Sequence, residues 1–240
     1  MTETSRLTWN SLKQNVCDYI GQQYRVLFGF TLVNMLFLAV MFLGGGVVGT
    51  LWFLGWMAAY YLFNFIFFRY FFARKPYLLT EKFFDTLVPA SKILFTLMLL
   101  LTLLAYLPYL PLLFVGMSEN LKNLITVFIG DFMGESNIYN VLISLVLLLC
   151  SPFILYRPIM AWIAAVIGRS GLIKPVLRRT EGYYRLFLLV GAVFYFFAIG
   201  VQLLDTGLHL HGYLFWLTMA PLTVLLNVVL AKTYEMLFLD

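Results

Sequence analysis

Six stretches of mostly apolar residues set the frame for this chain, near residues 26–43, 47–68, 93–115, 138–156, 186–204 and 213–231. As drawn, none of them contains Asp, Glu, Lys, Arg or His. A helix of about 20 residues rises roughly 30 Å, the thickness of a bilayer's hydrocarbon core, so each stretch is long enough to cross it. Barrel strands would run about ten residues and alternate strictly, and a run such as LFTLMLLLTLLAYL does not alternate. The expected fold class is therefore all-α, a polytopic membrane protein with six transmembrane helices. Composition removes the soluble alternative. Hydrophobic residues make up 62% of the chain and charged residues 11%, against roughly half and a quarter in soluble domains.

Orientation follows from where the charges fall. Arg6, Lys13 and Arg25 precede the first span, and Arg69, Arg74, Lys75, Lys82 and Lys92 separate the second from the third. Arg157, Arg169, Lys174, Arg178, Arg179 and Arg185 separate the fourth from the fifth, and Lys232 follows the sixth. The opposite loops hold Lys122 with Glu119, Asp131, Glu135 and Asp205. Cytoplasmic loops are enriched in Lys and Arg, so both termini are expected in the cytoplasm. The chain then divides into an N-terminal amphipathic cytoplasmic segment, 1–25, and a six-span membrane domain, 26–240. A net charge of +5 spread between apolar runs suits anionic lipid and not nucleic acid. Residues 1–25 are too long and polar for a secretory leader, and the first span has no small-residue cleavage site.

The stretch RSGLIKPVLRRTEGYYRLF, 169–187, concentrates five of the 16 basic residues. On a helix, Lys174, Arg178, Glu181 and Arg185 form one polar stripe, and Ile173, Val176, Leu177, Thr180, Tyr184 and Phe187 form the opposite face. That pattern is expected of a helix lying in the cytoplasmic interface, with Pro175 in its first turn and Gly182 breaking it before the fifth span. Two other segments are similar. In TWNSLKQNVCDYIGQQYRVLF, Trp9, Leu12, Val16, Tyr19 and Ile20 oppose Ser11, Gln14, Asp18, Gln22 and Arg25. In LLTEKFFDTLVPASKILF the separation is less clean, with Phe83, Phe84, Leu87 and Val88 against Glu81, Lys82, Asp85 and Lys92. The chain reads as three units, each an interfacial amphipathic helix followed by a helical hairpin. The outer loop 117–137 carries a further amphipathic run.

Arg157-Pro158 after a span, Gly171-Leu172, Leu177, Thr180-Glu181-Gly182 and Arg185-Leu186-Phe187 resemble the YciC-type family of uncharacterised bacterial inner-membrane proteins. That family is similar to the membrane domain attached to some glycerophosphoryl diester phosphodiesterases. Its recurring pattern is approximately Ser-Trp-x-Leu-Thr-x-Gly before an aromatic and basic entry into the fifth span. Thr180, Gly182 and Tyr183 to Phe187 fit it, while Val176, Leu177 and Arg179 stand in place of the Ser, Trp and Leu. The resemblance implies a multi-pass protein of the inner membrane. No phosphodiesterase activity carries over, because nothing here matches that catalytic domain.

Chemistry inside a membrane needs ionisable groups at depth, and no nucleophile–base pair or carboxylate set is visible. A non-enzymatic protein is expected, with no cofactor and no metal. His209 and His211 near Asp205 resemble a fragment of a metal site but are expected to be interfacial polar groups. Cys17 and Cys150 are far apart and suggest no disulfide. Pro108, Pro111, Pro152 and Pro221 are expected to kink the third, fourth and sixth spans. Gly44, Gly45 and Gly46 read as a turn between the first two spans. The amides Asn34, Asn64, Asn140, Asn227 and Gln202 are expected to bond between helices. The residues assigned to contact a lipid phosphate or a partner protein are Arg157, Lys174, Arg178, Arg179 and Arg185. The expected role is a structural or accessory component that contacts membrane lipids or a protein partner. The alternative is a small transporter or channel for an apolar or lipidic substrate, using the kinked spans.

Overall fold

The computed structural model describes residues 7–41, 46–72, 83–106, 149–150, 152–169, 173–209 and 213–239. Among the described residues all regular secondary structure is helical, with no strand. α1 (Trp9–Met41), α2 (Gly46–Phe72) and α3 (Phe83–Tyr106) come first, and a π-helical turn (Pro152–Tyr156) leads into α4 (Arg157–Val166). α5 (Ile173–Arg179) follows, then a 3₁₀ turn (Glu181–Tyr183), α6 (Tyr184–Gly207) and α7 (Tyr213–Phe238). Much of the expected fourth span, the outer loop 117–137, Pro108, Pro111, Asn140 and the glycines 44 and 45 lie outside the described residues.

Glu181–Gly207 and Tyr213–Phe238 are long and apolar enough to cross a membrane, and 22% and 35% of their most apolar windows are buried. A core helix of a soluble protein would be mostly buried, so these two point to association with a membrane. The apolar surface is distributed in the same sense. Phe28, Leu32 and Leu36 stand exposed at fourth-residue spacing on α1, as do Val193, Phe197 and nearby Phe196 on α6, and Phe95 and Leu99 on α3. Contiguous apolar stripes of this size are costly in water and normal against lipid.

α1 begins where Thr8 and Ser11 cap it reciprocally. Ser11 N donates to Thr8 Oγ1 at 3.2 Å and Thr8 N donates to Ser11 Oγ at 3.0 Å. The helix then runs through a kink at Gln23 (φ −116°, ψ 19°), where the polar segment gives way to the apolar run. α3 continues through Pro89 and α7 through Pro221. Pro152 opens the π-helical turn, the one place where a described proline coincides with altered helical winding.

α1 packs along α7, and α3 along α4. α4 is the centre of the core, with every residue from Met160 to Val166 buried. It ends in a Schellman turn. Arg169 N donates to Ala164 O at 2.9 Å and Gly168 N to Ala165 O at 3.1 Å, with Gly168 at φ 76°. The apolar faces of the amphipathic segments turn onto this core. Leu12, Val16, Val176 and Phe187 are buried inside the protein, so these residues pack on protein and not on lipid. α3 divides its apolar residues differently. Phe84 and Val88 are exposed, while Thr86 and Ala90 are buried. The amphipathic helix breaks where it was expected to, around Gly182: it ends at Arg179 and resumes after the 3₁₀ turn at Tyr184.

Candidate functional site

The contacts that fix the basic residues lie at one end of the bundle. Tyr19 of α1 meets Phe71 of α2 at a centroid distance of 4.5 Å, Phe72 meets Tyr234 of α7 at 5.6 Å, and Arg169 reaches Phe238. The start of α1 and the ends of α2 and α7 therefore share this end, together with the starts of α3 and α6.

Arg157 follows the π-helical turn, and its half-buried guanidinium reaches across to α5. Nε donates to Thr180 Oγ1 at 2.9 Å, Nη2 donates to Leu177 O, and the carbon lies 5.6 Å from the Phe153 ring centroid. Thr180 is fully buried and its hydroxyl donates back to Val176 O at 2.9 Å. The cation thus sits at the C-terminal end of α5, where the last carbonyls carry partial negative charge. Thr180→Val keeps the shape and removes the acceptor. It should cost about 1–3 kcal/mol, seen as a lower unfolding midpoint in detergent, whereas Thr180→Ser should recover most of the loss.

Arg69, at the end of α2, makes a matching arrangement. Nη1 donates to Thr86 Oγ1 at 2.5 Å and to Val166 O at 3.4 Å, and the guanidinium lies 5.8 Å from Phe65 and 6.0 Å from Phe83. It closes the C-terminus of α4 as Arg157 closes that of α5. Lys232 near the end of α7 is the third basic residue in an equivalent place. Its ammonium lies 5.1 Å over Tyr19 and 5.5 Å over Phe71 and bonds Glu235 Oε2 at 2.6 Å. Burial pushes the Tyr19 phenol up to about 12, with Tyr70 and Glu235 adding to the shift, so the ring beneath Lys232 stays neutral. In the sequence Arg69 and Lys232 stand only as loop charges. Each follows an Asn by five residues, Asn64 and Asn227, a spacing absent at Arg157, where Pro152 stands.

The five residues assigned to lipid or partner contact do not form one cluster. Arg157 is held inside. Arg179 is exposed but its guanidinium lies 5.4 Å over the Phe238 ring, and beside it Arg169 Nη1 donates to Phe238 O at 3.1 Å. Arg178 and Arg185 are exposed. Lys174 lies on α5 and its side chain is outside the described residues.

Arg185 borders a cleft of about 600 Å³ between the start of α1 and the start of α6. Leu7, Thr8 and Trp9 form one wall, and Gly182, Tyr183, Leu186 and Leu189 complete it. Trp9, Arg185 and Leu189 are exposed, while Leu7 and Leu186 are buried. The cleft is polar at Arg185 and Thr8 and apolar elsewhere.

At the other end of the bundle Asp205 is buried and its Oδ1 accepts from Leu214 N at 2.7 Å and Phe215 N at 3.4 Å. This carboxylate caps α7 from the neighbouring helix, where a helix N-terminus favours negative charge. His209 is exposed in the turn at φ 53°, and His211 lies outside the described residues. Among the described residues no three His, Cys, Asp or Glu gather to hold a metal. Three of the amides bond as expected. Asn227 Nδ2 donates to Asn64 Oδ1 at 2.7 Å, joining α7 to α2, and Asn34 Nδ2 donates to Ala220 O at 3.0 Å, joining α1 to α7. Gln202 is exposed.

No family model, no curated protein and no solved structure matches this chain.

Proposed function

We propose that this is a six-span, multi-pass protein of the bacterial inner membrane, with both termini and the basic end of the bundle in the cytoplasm. It acts there as a non-enzymatic accessory component that holds anionic lipid or a protein partner. The supporting observation is the division of labour among its cations. Arg69, Arg157 and Lys232 are engaged within the protein, while Arg178 and Arg185 stand exposed at the same end. The first set locks the helix ends together, and the second presents charge at the height of lipid headgroups.

The three inward-facing cations also support the three-unit reading. Each lies at the end of a span and contacts an amphipathic segment: Arg69 the second, Arg157 the third and Lys232 the first. Kinship with the YciC-type family rests on the same interlock, because Arg157 and Thr180 both belong to the residues that carry the resemblance. The transporter reading draws on the Asn64–Asn227 pair between α2 and α7, and requires substrate flux in vesicles that Asn227→Leu abolishes.

The experiment is native mass spectrometry of the protein extracted from its own membrane. Anionic lipid or a stoichiometric protein should accompany it. Neutralising Lys174, Arg178, Arg179 and Arg185 together should weaken lipid retention by about 1 kcal/mol per charge at most. Retention of bulk lipid composition, with no protein partner and no change in the variant, would remove this reading.

A further inference from the structure

We propose that the cleft between the start of α1 and the start of α6 is a seat for one anionic phospholipid, with its phosphate on Arg185 and its acyl chain along α6. The proposal rests on the reading that the basic end faces anionic lipid, and it narrows that contact to one place. The volume of about 600 Å³ is in the range of small-ligand pockets, enough for a headgroup and the start of its chains.

Two features choose a lipid over a free anion. The first is the polarity gradient. Arg185 supplies charge at the mouth, and Leu186 and Leu189 carry the wall onward. The second is continuity with the outside of α6. Exposed Leu189 is followed at helical spacing by exposed Val193, Phe196 and Phe197, a track of about 12 Å at 1.5 Å per residue. A phosphate ion would use the charge and leave the track bare, whereas a phospholipid matches both. Trp9 and Tyr183 border the same cleft, and such amphipathic rings favour headgroup depth. Exposed Glu181 is adjacent in the chain but does not line the cleft.

Gly182 gives a clean way to close the site. Gly182 lines the cleft and a Cβ built there meets nothing within 4 Å, so a larger side chain can start from this position without displacing protein. The test titrates the full-length protein in neutral detergent with dioleoylphosphatidylglycerol, reading bound lipid by native mass spectrometry, with dioleoylphosphatidylcholine and inorganic phosphate as comparisons. One phosphatidylglycerol should bind saturably and more tightly than phosphatidylcholine. Arg185→Gln should weaken it about fivefold, the equivalent of ~1 kcal/mol, and Arg185→Lys should retain most of the affinity. Gly182→Leu should abolish saturable binding with an unchanged unfolding midpoint. Lys92→Gln, which removes an exposed charge away from the cleft, should leave it within twofold. If phosphatidylglycerol is preferred but Arg185→Gln and Gly182→Leu behave like Lys92→Gln, the cleft is wrong and the broader lipid reading survives. If no anionic preference exists in the parent protein, both are wrong. Competition by inorganic phosphate at equal concentration would overturn the choice of a lipid.

Discussion

Arg69→Ala should lower the unfolding free energy by about 3–5 kcal/mol. Two buried acceptors, Thr86 Oγ1 and Val166 O, lose a cationic donor, and hydrogen bonds to a charged group are worth roughly 1.5–3 kcal/mol each. The stem and guanidinium packed against the Phe65–Phe83 pair also leave a void, and a void adds to the loss because its walls relax only in part. Arg69→Lys should recover less than half, since an ammonium is a point charge without the planar fork that reaches a hydroxyl and a carbonyl together. Equilibrium unfolding in mixed micelles measures both variants. A loss below about 1 kcal/mol for Arg69→Ala would mean that the cation does not hold α2, α3 and α4 together.

Trp162→Ala should cost a similar amount, about 3–5 kcal/mol, through a different term. The indole is 5% exposed in the middle of α4, with Phe68 edge-on at 5.2 Å and Tyr61 at 6.2 Å. Truncation removes the aromatic contacts that join α4 to α2. Trp162→Phe should cost far less, because Nε1 is buried with no acceptor among the described residues, and Phe carries no donor to desolvate. The informative quantity is the difference between the two variants. Equal losses would show that the indole N–H, and not the packing, is what the site requires.

α4 also shows how far the sequence could be read. Ile159 to Ile167 is a run of nine apolar residues that ends the Arg157-Pro158 segment. It is too short to span a bilayer, and a run of about that length is more often a helix buried in a core. Apolar on every side, it has no periodic stripe to mark it as a helix, so it passes for part of a loop. Its burial explains the second departure. Amphipathic faces such as Leu12–Val16 and Val176 were legible as faces, but a stripe looks the same whether it meets lipid or protein. The buried helix decides the matter, and it lies far from α1 in sequence. Thr180 was legible only as a member of the apolar face and of the family motif, and Thr86 not at all, because nothing local in the chain names an arginine 17 or 23 residues earlier as the partner. By contrast, the long helices α2, α6 and α7 follow their apolar runs closely, since length and hydropathy alone decide them. Asp205 was visible as a carboxylate near two histidines, but its role as a cap depends on where the chain turns after Gly207.

The central claim is that the basic end of the bundle faces the cytoplasm, and impermeant thiol labelling of spheroplasts tests it most directly. Cys17 is exposed on the polar part of α1, and His209 is exposed at the far end of α6, a helix of 24 residues and so about 36 Å long. In a Cys150→Ser background, Cys17 should resist an impermeant maleimide until the membrane is opened. With Cys17 also replaced by Ser, His209→Cys should label at once in intact spheroplasts. Immediate labelling of Cys17 together with protection of the His209→Cys thiol would contradict the orientation and everything proposed for Arg185.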